Sequence, residues 1–180
     1  FDDFRGTVGV ANKQVFSDGG YNQFSPAVLV STKAPVVLEQ ARLYIGNSGK
    51  IRFTVYDSNG ANVSERTLQV TATRGTPAAG VQPNDPIDQG QVYYLGLELP
   101  KAGDYSIAIS YENGATIYRN NGGVQGYPFG ITDVFSITGN TATTNAQSYY
   151  YYFYDLKVRA LGCPSPRVAA AVKTGAPLDQ

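Results

Sequence analysis

Turn residues punctuate this chain at short intervals, and between the turns the polarity alternates from one residue to the next. In the segment 51–56, Ile51, Phe53 and Val55 share one face and the residues between them share the other, which is the period of a half-buried β-strand. The tetrapeptide Asp57-Ser58-Asn59-Gly60 that follows is a typical turn. Because no segment keeps a helical period, the pattern predicts an all-β chain.

Nine segments carry a strand pattern, and the turns between them predict two hairpins. Segment 66–73 should pair with the strand before it, and segments 91–99 and 105–111 should pair across the turn that begins at Pro100. The proline-rich stretch 74–90 should be a loop, since proline cannot donate to a central ladder. The remaining predicted strands are 27–30, 36–45, 115–119, 134–138 and a central one at 149–160.

These strand and turn spacings predict an antiparallel β-sandwich, jelly-roll-like, with roughly eight to ten strands. A chain of 180 residues suits one such domain. We assign residues 1–161 to the β-sandwich module and residues 162–180 to a C-terminal linker or the start of a following domain, since the sequence becomes rich in Pro, Ala and Val there. The single cysteine, Cys163, lies in that tail, so an internal disulfide is excluded.

The charge balance argues against two classes of partner. Fourteen basic residues offset fourteen acidic ones, and no run of Lys or Arg could neutralise a phosphate backbone. The longest apolar stretches fall far short of the roughly 20 residues that a membrane helix needs. We therefore expect no nucleic acid partner and no membrane insertion. Because the sequence starts at Phe1 without a leader, we expect a monomeric module within a larger chain.

The side chains needed for common hydrolase chemistry are missing from the sequence. Without histidine, a Ser-His-Asp or Cys-His arrangement and a histidine metal site cannot be built. Paired carboxylates remain, but none of the 14 acidic residues lies in a recognisable acid and base motif. We therefore predict that the chain is not an enzyme.

Four segments have a recognisable pattern: Tyr-Phe-Tyr-Asp-Leu-Lys-Val at 152–158, Gly-Cys-Pro-Ser-Pro-Arg-Val at 162–168, and the segments 97–111 and 114–120. They resemble accessory modules and module junctions of large secreted proteins of Bacteroidota, in which a β-sandwich precedes immunoglobulin-like repeats and a type IX secretion sorting domain. The resemblance implies a protein that is secreted or at the cell surface. It names no ligand, because such modules accompany many functions.

The same resemblance, to jelly-roll carbohydrate-binding modules, implies a structural Ca²⁺ site where the first and last strands meet. The candidate ligands are Asp2, Asp3 and Asp155, and loop carbonyls would complete the six to eight oxygens that Ca²⁺ needs. The simpler alternative is that Asp155 pairs with a lysine while Asp2 and Asp3 are solvated. The segment 57–60 also resembles the start of a calcium loop, but a turn explains it fully.

Sugar binding requires an exposed aromatic ring that stacks on a pyranose, with amide and guanidinium groups around it. The segment 118–129 supplies this mixture in a glycine-rich stretch that we predict to be a loop. Alternatively, its two last aromatic rings fold back to close the end of the sandwich, and the tyrosine run 149–152 offers a second aromatic face. The candidate ligand-binding residues are Tyr118, Arg119, Asn120, Asn121, Gln125, Tyr127 and Phe129.

Together these features favour a non-catalytic carbohydrate-binding or surface-adhesion module whose partner is a polysaccharide or a cell-surface glycan. The alternative is a structural or assembly spacer between a catalytic domain and a C-terminal sorting region. The two hypotheses predict different surfaces. A binding module should present a contiguous aromatic and polar patch, whereas a spacer should bury its aromatic rings.

Overall fold

A computed structural model describes residues 4–162, and these residues form fifteen β-strands and two short 3₁₀ turns, Lys13–Val15 and Ala146–Ser148. The strands are β1 (Arg5–Val8), β2 (Asp18–Asn22), β3 (Val28–Thr32), β4 (Val36–Leu43), β5 (Ile45–Asn47), β6 (Gly49–Asp57), β7 (Asn62–Val70), β8 (Gln82–Pro83), β9 (Gln91–Leu99), β10 (Gly103–Glu112), β11 (Thr116–Gly122), β12 (Phe129–Ile131), β13 (Phe135–Asn140), β14 (Tyr150–Tyr151) and β15 (Tyr154–Ala160).

The strands form three antiparallel sheets. One has the order β1-β15-β4-β9, and a second has the order β12-β13-β3-β10-β6-β7. The third has the order β14-β11-β2-β8, with β5 also paired to β11. The first and last strands pair directly, Val8 opposite Leu156. The all-β antiparallel sandwich predicted from the pattern is therefore confirmed.

The main core lies between the four-stranded and six-stranded sheets. Alternating apolar residues of the central strands face it, for example Leu38 of β4, Phe53 of β6 and Leu97 of β9, none of which is exposed. At the two sides of the sandwich β7 lies beside β9 and β1 lies beside β12. A second, smaller cluster under the third sheet consists of Phe16 and five tyrosines, Tyr21, Tyr44, Tyr118, Tyr150 and Tyr154.

The strand count was wrong, since residues 4–162 hold fifteen strands rather than eight to ten. Four of the extra strands, β1, β2, β8 and β12, have only two to five residues, too few to show an alternating pattern. The predicted strand 36–45 divides into β4 and β5 at Tyr44, and 149–160 divides into β14 and β15. Strands this short have no periodic pattern that could be recognised in the sequence.

One predicted hairpin was right and the other was wrong. Strands β6 and β7 pair along their length, and the Asp57 side chain closes their turn by accepting hydrogen bonds from the amides of Asn59 and Ala61, both at 2.9 Å. Strands β9 and β10, in contrast, lie in different sheets. Leu97 and Ile107 both face the shared core, so the turn after Pro100 carries the chain across the sandwich.

The last predicted strand is divided at Tyr152 and has a bulge at Asp155, and both residues have left-handed backbone. Tyr152 has φ 70° and Asp155 has φ 50°, a conformation that costs a residue with a side chain roughly 1–2 kcal/mol. The Tyr152 hydroxyl offsets this cost by donating to the carbonyl of Pro26 at 2.8 Å. The central position predicted for this strand is confirmed, because β15 lies between β1 and β4.

Candidate functional site

Strand β11 determines where the first candidate ligand-binding residues point. The predicted strand 115–119 is confirmed but extends to Gly122, so Asn120 and Asn121 lie in β11 and not, as predicted, in a loop. Side chains alternate along a strand, so Tyr118 and Asn120 are buried while Arg119 points outward and is half-buried. Of these three neighbours, only Arg119 can therefore meet a ligand from solvent.

The guanidinium of Arg119 lies between two aromatic rings. Its central carbon is 4.4 Å from the ring centroid of Phe24 and 5.3 Å from that of Tyr149, distances at which cation–π attraction operates. Its Nε is buried and has no hydrogen-bond partner, the one such side-chain atom among residues 4–162. Arg119 also takes part in none of the four salt bridges of that range.

A cleft of about 290 Å³ opens at this arginine. Arg119 is the only charged residue in its lining, and hydroxyl groups supply most of the rest. The other lining side chains that matter here are Ser25, Thr141, Thr143, Thr144, Tyr149 and Tyr151. The cleft thus combines a guanidinium that forms no salt bridge among the described residues, aromatic rings, and groups that can both donate and accept hydrogen bonds.

The wall of the cleft that carries Tyr149 is held by a buried amide. Asn140 donates through Nδ2 to the carbonyl of Ala146 at 2.8 Å and accepts from the amide of Ala142 at 3.0 Å. Tyr127 donates its hydroxyl to the carbonyl of Tyr149 at 2.7 Å. The loop after β13 is therefore fixed by hydrogen bonds, which reduces the entropy lost when a ligand binds.

Tyr127 and Phe129 fold back onto the protein, the alternative that the sequence left open. Their ring centroids are 4.7 Å apart, and Phe129 packs edge-on against Tyr150 at 5.3 Å. Burial raises the pKa of the Tyr127 hydroxyl to about 12, with desolvation the largest cause. Asn121 and Gln125 are exposed, and neither lines the cleft at Arg119.

The two buried candidates belong to a polar cluster that the sequence did not reveal. Asn120 donates to the carbonyl of Asp18 at 3.0 Å and accepts from the hydroxyl of Tyr154 at 2.8 Å. It also donates to the backbone carbonyl of Lys13 at 3.2 Å. Lys13 itself is only 2% exposed, although lysine is almost never buried in proteins.

The Lys13 side chain is enclosed by three tyrosine rings, an arrangement that we call the lysine cage. Nζ lies 4.8–5.6 Å from the ring centroids of Tyr118, Tyr44 and Tyr21. It donates to the hydroxyl of Tyr21 at 3.2 Å, and to Asn84 Oδ1 and the carbonyl of Asp85, both at 2.7 Å. All three ammonium hydrogens thus have acceptors.

Asp155 pairs with a lysine, as the simpler alternative to a Ca²⁺ site predicted. Its carboxylate accepts from Lys157 Nζ at 3.2 Å, and Lys157 also donates to Thr7 at 2.9 Å on the neighbouring strand. No group of three or more His, Cys, Asp or Glu side chains gathers anywhere in the described range 4–162. Asp2, Asp3 and Cys163 lie outside that range, so the Ca²⁺ site stays a prediction.

Sequence reasoning identified Arg119 and the tyrosine run but missed Phe24 and the threonines of the cleft. These residues lie before β3 and after β13, about 90 and 20 residues from Arg119 in the chain. The pairing of β11 with β2 and of β13 with β3 brings their segments together. No local sequence pattern indicates that these distant segments lie side by side.

Comparisons of this chain with protein-family models, with curated proteins and with solved structures find no match of significance. Between residues 4 and 162, no helix is of the length and apolar character that crossing a bilayer requires.

Proposed function

We propose that the protein is a non-catalytic carbohydrate-binding module of a secreted or cell-surface bacterial protein, and that the cleft at Arg119 binds an acidic sugar. The observation that carries the proposal is the half-buried guanidinium of Arg119, the only charged group in the lining of the cleft. It takes part in none of the four salt bridges among the described residues. A carboxylate in the cleft would pair with this guanidinium.

The chemistry of the cleft favours a carboxylate over a neutral group. A guanidinium presents its donors in a planar fork that matches a carboxylate. No acidic side chain lines the cleft to compete for it. A uronic or sialic acid unit carries such a carboxylate on a pyranose ring, so one residue of a polysaccharide can satisfy Arg119.

The remaining walls suit the rest of a sugar. The half-buried ring of Tyr149 can stack on the apolar face of a pyranose, and the hydroxyls of Thr143 and Thr144 can exchange hydrogen bonds with sugar hydroxyls. Asn121 and Gln125 stay within the proposal as exposed amides that a longer chain could reach. Tyr127 acts as a positioning residue, because it holds the Tyr149 carbonyl.

The test is retention of the protein on a panel of polysaccharides, some of which contain uronic acid (polygalacturonate, alginate) and some of which are neutral (cellulose, xylan). We expect saturable binding to a uronate and a 10–100-fold weaker affinity for Arg119→Gln, the equivalent of about 1.5–3 kcal/mol for a charged hydrogen bond. Arg52→Gln, which changes an exposed arginine on β6, is the matched control.

Two further arms of the same screen separate the alternatives. If binding disappears with a chelator, the predicted Ca²⁺ at Asp2, Asp3 and Asp155 takes part in it. If Arg119→Gln binds as tightly as the wild type, the cleft is not the site. Equal binding to neutral and acidic polymers would contradict the preference for a carboxylate.

A structural or assembly spacer is the second candidate function, and one observation favours it. Of the large hydrophobic side chains that are well exposed in residues 4–162, only Tyr94 is aromatic, at 53% exposure, and it stacks with Arg66 at 4.9 Å. The aromatic surface is thus smaller than a binding module of flat polysaccharides needs. No retention on any polymer of the panel would support the spacer.

A further inference from the structure

In the lysine cage, the side-chain nitrogen of Lys13 lies next to the side-chain carbonyl of Asn84, close enough for the two groups to react. Nζ of Lys13 lies 2.7 Å from Oδ1 of Asn84. Since a C=O bond is about 1.23 Å long, Nζ is within about 4 Å of the Asn84 Cγ, close to the 3–3.5 Å of a near-attack geometry.

The position of Asn84 is fixed by its neighbour in the loop. The Asp85 carboxylate accepts from the amide of Gly75 at 2.8 Å and from that of Ile87 at 3.2 Å, and the Asp85 carbonyl accepts from Lys13. These bonds order the loop 74–90 around the lysine. The two reacting groups are therefore held together before any reaction, which removes most of the entropic cost of their encounter.

The surroundings make it easier for the Lys13 ammonium to lose a proton and become the neutral, nucleophilic amine. Burial among the tyrosine rings lowers the pKa of Lys13, and nearby Arg74 lowers it further, although Asp88 and Asp85 oppose the shift. The side chain is 2% exposed, so bulk water has little access to the amine. Desolvated lysines act as nucleophiles in this way.

A path for the proton leads from Lys13 to a buried acid. Nζ donates to the hydroxyl of Tyr21 at 3.2 Å, and this hydroxyl donates to Oδ2 of Asp88 at 2.8 Å. Asp88 is 2% exposed, and its other oxygen accepts from the amide of Gly90 at 2.8 Å. Amine, phenol and carboxylate thus form a continuous chain of hydrogen bonds.

From this geometry we propose that Lys13 and Asn84 join in an intramolecular isopeptide bond, formed by the protein itself with Asp88 as the proton acceptor. The bond would tie the 3₁₀ turn Lys13–Val15 to the loop 74–90, two segments separated by about 70 residues. It would stabilise the fold by restricting the unfolded chain, as a disulfide does.

The step balances without an outside reagent. The Lys13 ammonium gives a proton through Tyr21 to the Asp88 carboxylate, and the neutral amine attacks Cγ of Asn84 to form the new C–N bond. The bond from Cγ to Nδ2 then breaks, and Nδ2 takes a proton from the attacking nitrogen. The nitrogen that was Nδ2 is thus released as ammonia. The ammonia accepts the proton from Asp88 and departs as ammonium.

The test is the mass of the purified, folded 180-residue chain, followed by peptide mapping. The bond lowers the mass by one ammonia, about 17 Da, and protects Lys13 from trypsin. Succinimide formation at Asn59-Gly60, Asn113-Gly114 or Asn121-Gly122 would give the same loss, so the decisive result is a branched peptide that joins Lys13 to Asn84.

Three variants and one control complete the experiment. We expect no branched peptide from Asn84→Ala, and a strong reduction from Asp88→Asn and Tyr21→Phe, which interrupt the proton path. Asn59→Ala, in an exposed turn, is the control and should keep the branched peptide. Wild-type protein that is folded by circular dichroism, yet yields Lys13 and Asn84 only in separate, unmodified peptides, would overturn the proposal.

Discussion

Before the proposed bond forms, Lys13 and Arg119 are both cations among aromatic rings, yet their N–H groups differ in the hydrogen-bond acceptors they reach. Lys13 donates to three acceptors from three different residues. Arg119 is stacked between Phe24 and Tyr149 but leaves its buried Nε without a partner. One cation is closed within the fold, and the other faces a cleft.

The difference shows how the same residue types serve two purposes. Burial of a charge is tolerated when hydrogen bonds and nearby charges compensate the lost solvation, and the lysine cage meets that condition through its three acceptors and Asp88. At Arg119 the lost solvation is compensated only in part, because the two aromatic rings attract the charge but the buried Nε has no hydrogen-bond partner. This difference supports our proposals that the cage contributes to stability and that the cleft serves recognition.

Alkaline pH should have the largest effect on the stability of the protein, because the cage is built from tyrosines. Burial raises the pKa of Tyr21 and Tyr44 and raises that of Tyr118 to about 12. A raised folded pKa means that stability is lost once the pH exceeds the unfolded value of about 10, by up to about 1.4 kcal/mol per pH unit for each fully buried tyrosine. Lys13, with its lowered pKa, acts in the opposite direction only below its unfolded value of about 10.4, and so does not oppose the loss at higher pH.

We therefore expect the free energy of unfolding to fall steeply between about pH 10 and 12. Urea titrations at several pH values in this window, followed by circular dichroism, measure it. A free energy of unfolding that stays constant up to pH 12 would show that the tyrosines are not buried as described.

Removal of the caged lysine should have the next largest effect. Lys13→Met removes the proposed bond to Asn84 and, in unbonded protein, leaves the acceptors of the cage and the buried Asp88 without their cation. Loss of one partner from a buried charged network alone costs about 3–5 kcal/mol. Urea denaturation compares this variant with Lys33→Met, which changes an exposed lysine. A loss below about 1 kcal/mol, equal to that of the control, would reject the cage as a source of stability.

A smaller effect is expected at the wall of the cleft. Tyr127→Phe removes the hydrogen bond to the Tyr149 carbonyl and should lower the free energy of unfolding by about 0.5–1.5 kcal/mol. Tyr94→Phe serves as the control, because its hydroxyl belongs to an exposed side chain. If the two variants unfold alike, Tyr127 does not position Tyr149.

Arg119→Met should change stability least. The two cation–π contacts that it removes are worth roughly 0.5–1 kcal/mol each, but the variant also removes a buried donor without a partner, so the free energy of unfolding should change by less than about 1 kcal/mol. Thermal and urea unfolding check this. A loss as large as that of Lys13→Met would mean that Arg119 is structural.

The sequence predicted the fold class because alternation is strong where strands are long. Segment 51–56 lies within β6, and 91–99 coincides with β9. The partners of these strands were harder to predict, because the turn after Pro100 has the residues of a hairpin but crosses between sheets. Local chemistry determines that the chain turns, whereas the shared core determines which sheet it joins.

The site was predictable only in part, for a similar reason. Arg119 was predicted as a ligand-binding residue because it is a guanidinium among aromatic residues. That its side chain points outward follows from the alternation of side chains along β11. Lys13 could not have been found, since nothing in the polar stretch around Asn12 and Gln14 indicates burial. Its burial follows from contacts with Asn84 and Asp85, about 70 residues away.

The most direct test of the account is to observe the Arg119 Nε–H itself by NMR while an oligogalacturonate is added to the ¹⁵N-labelled protein. We predict that the Arg119 Nε–H resonance shifts and that the shift saturates as a carboxylate binds the guanidinium, while the resonance of exposed Arg52 stays in place. An Arg119 resonance that does not move while the protein binds the oligosaccharide would contradict the assignment of the cleft to recognition.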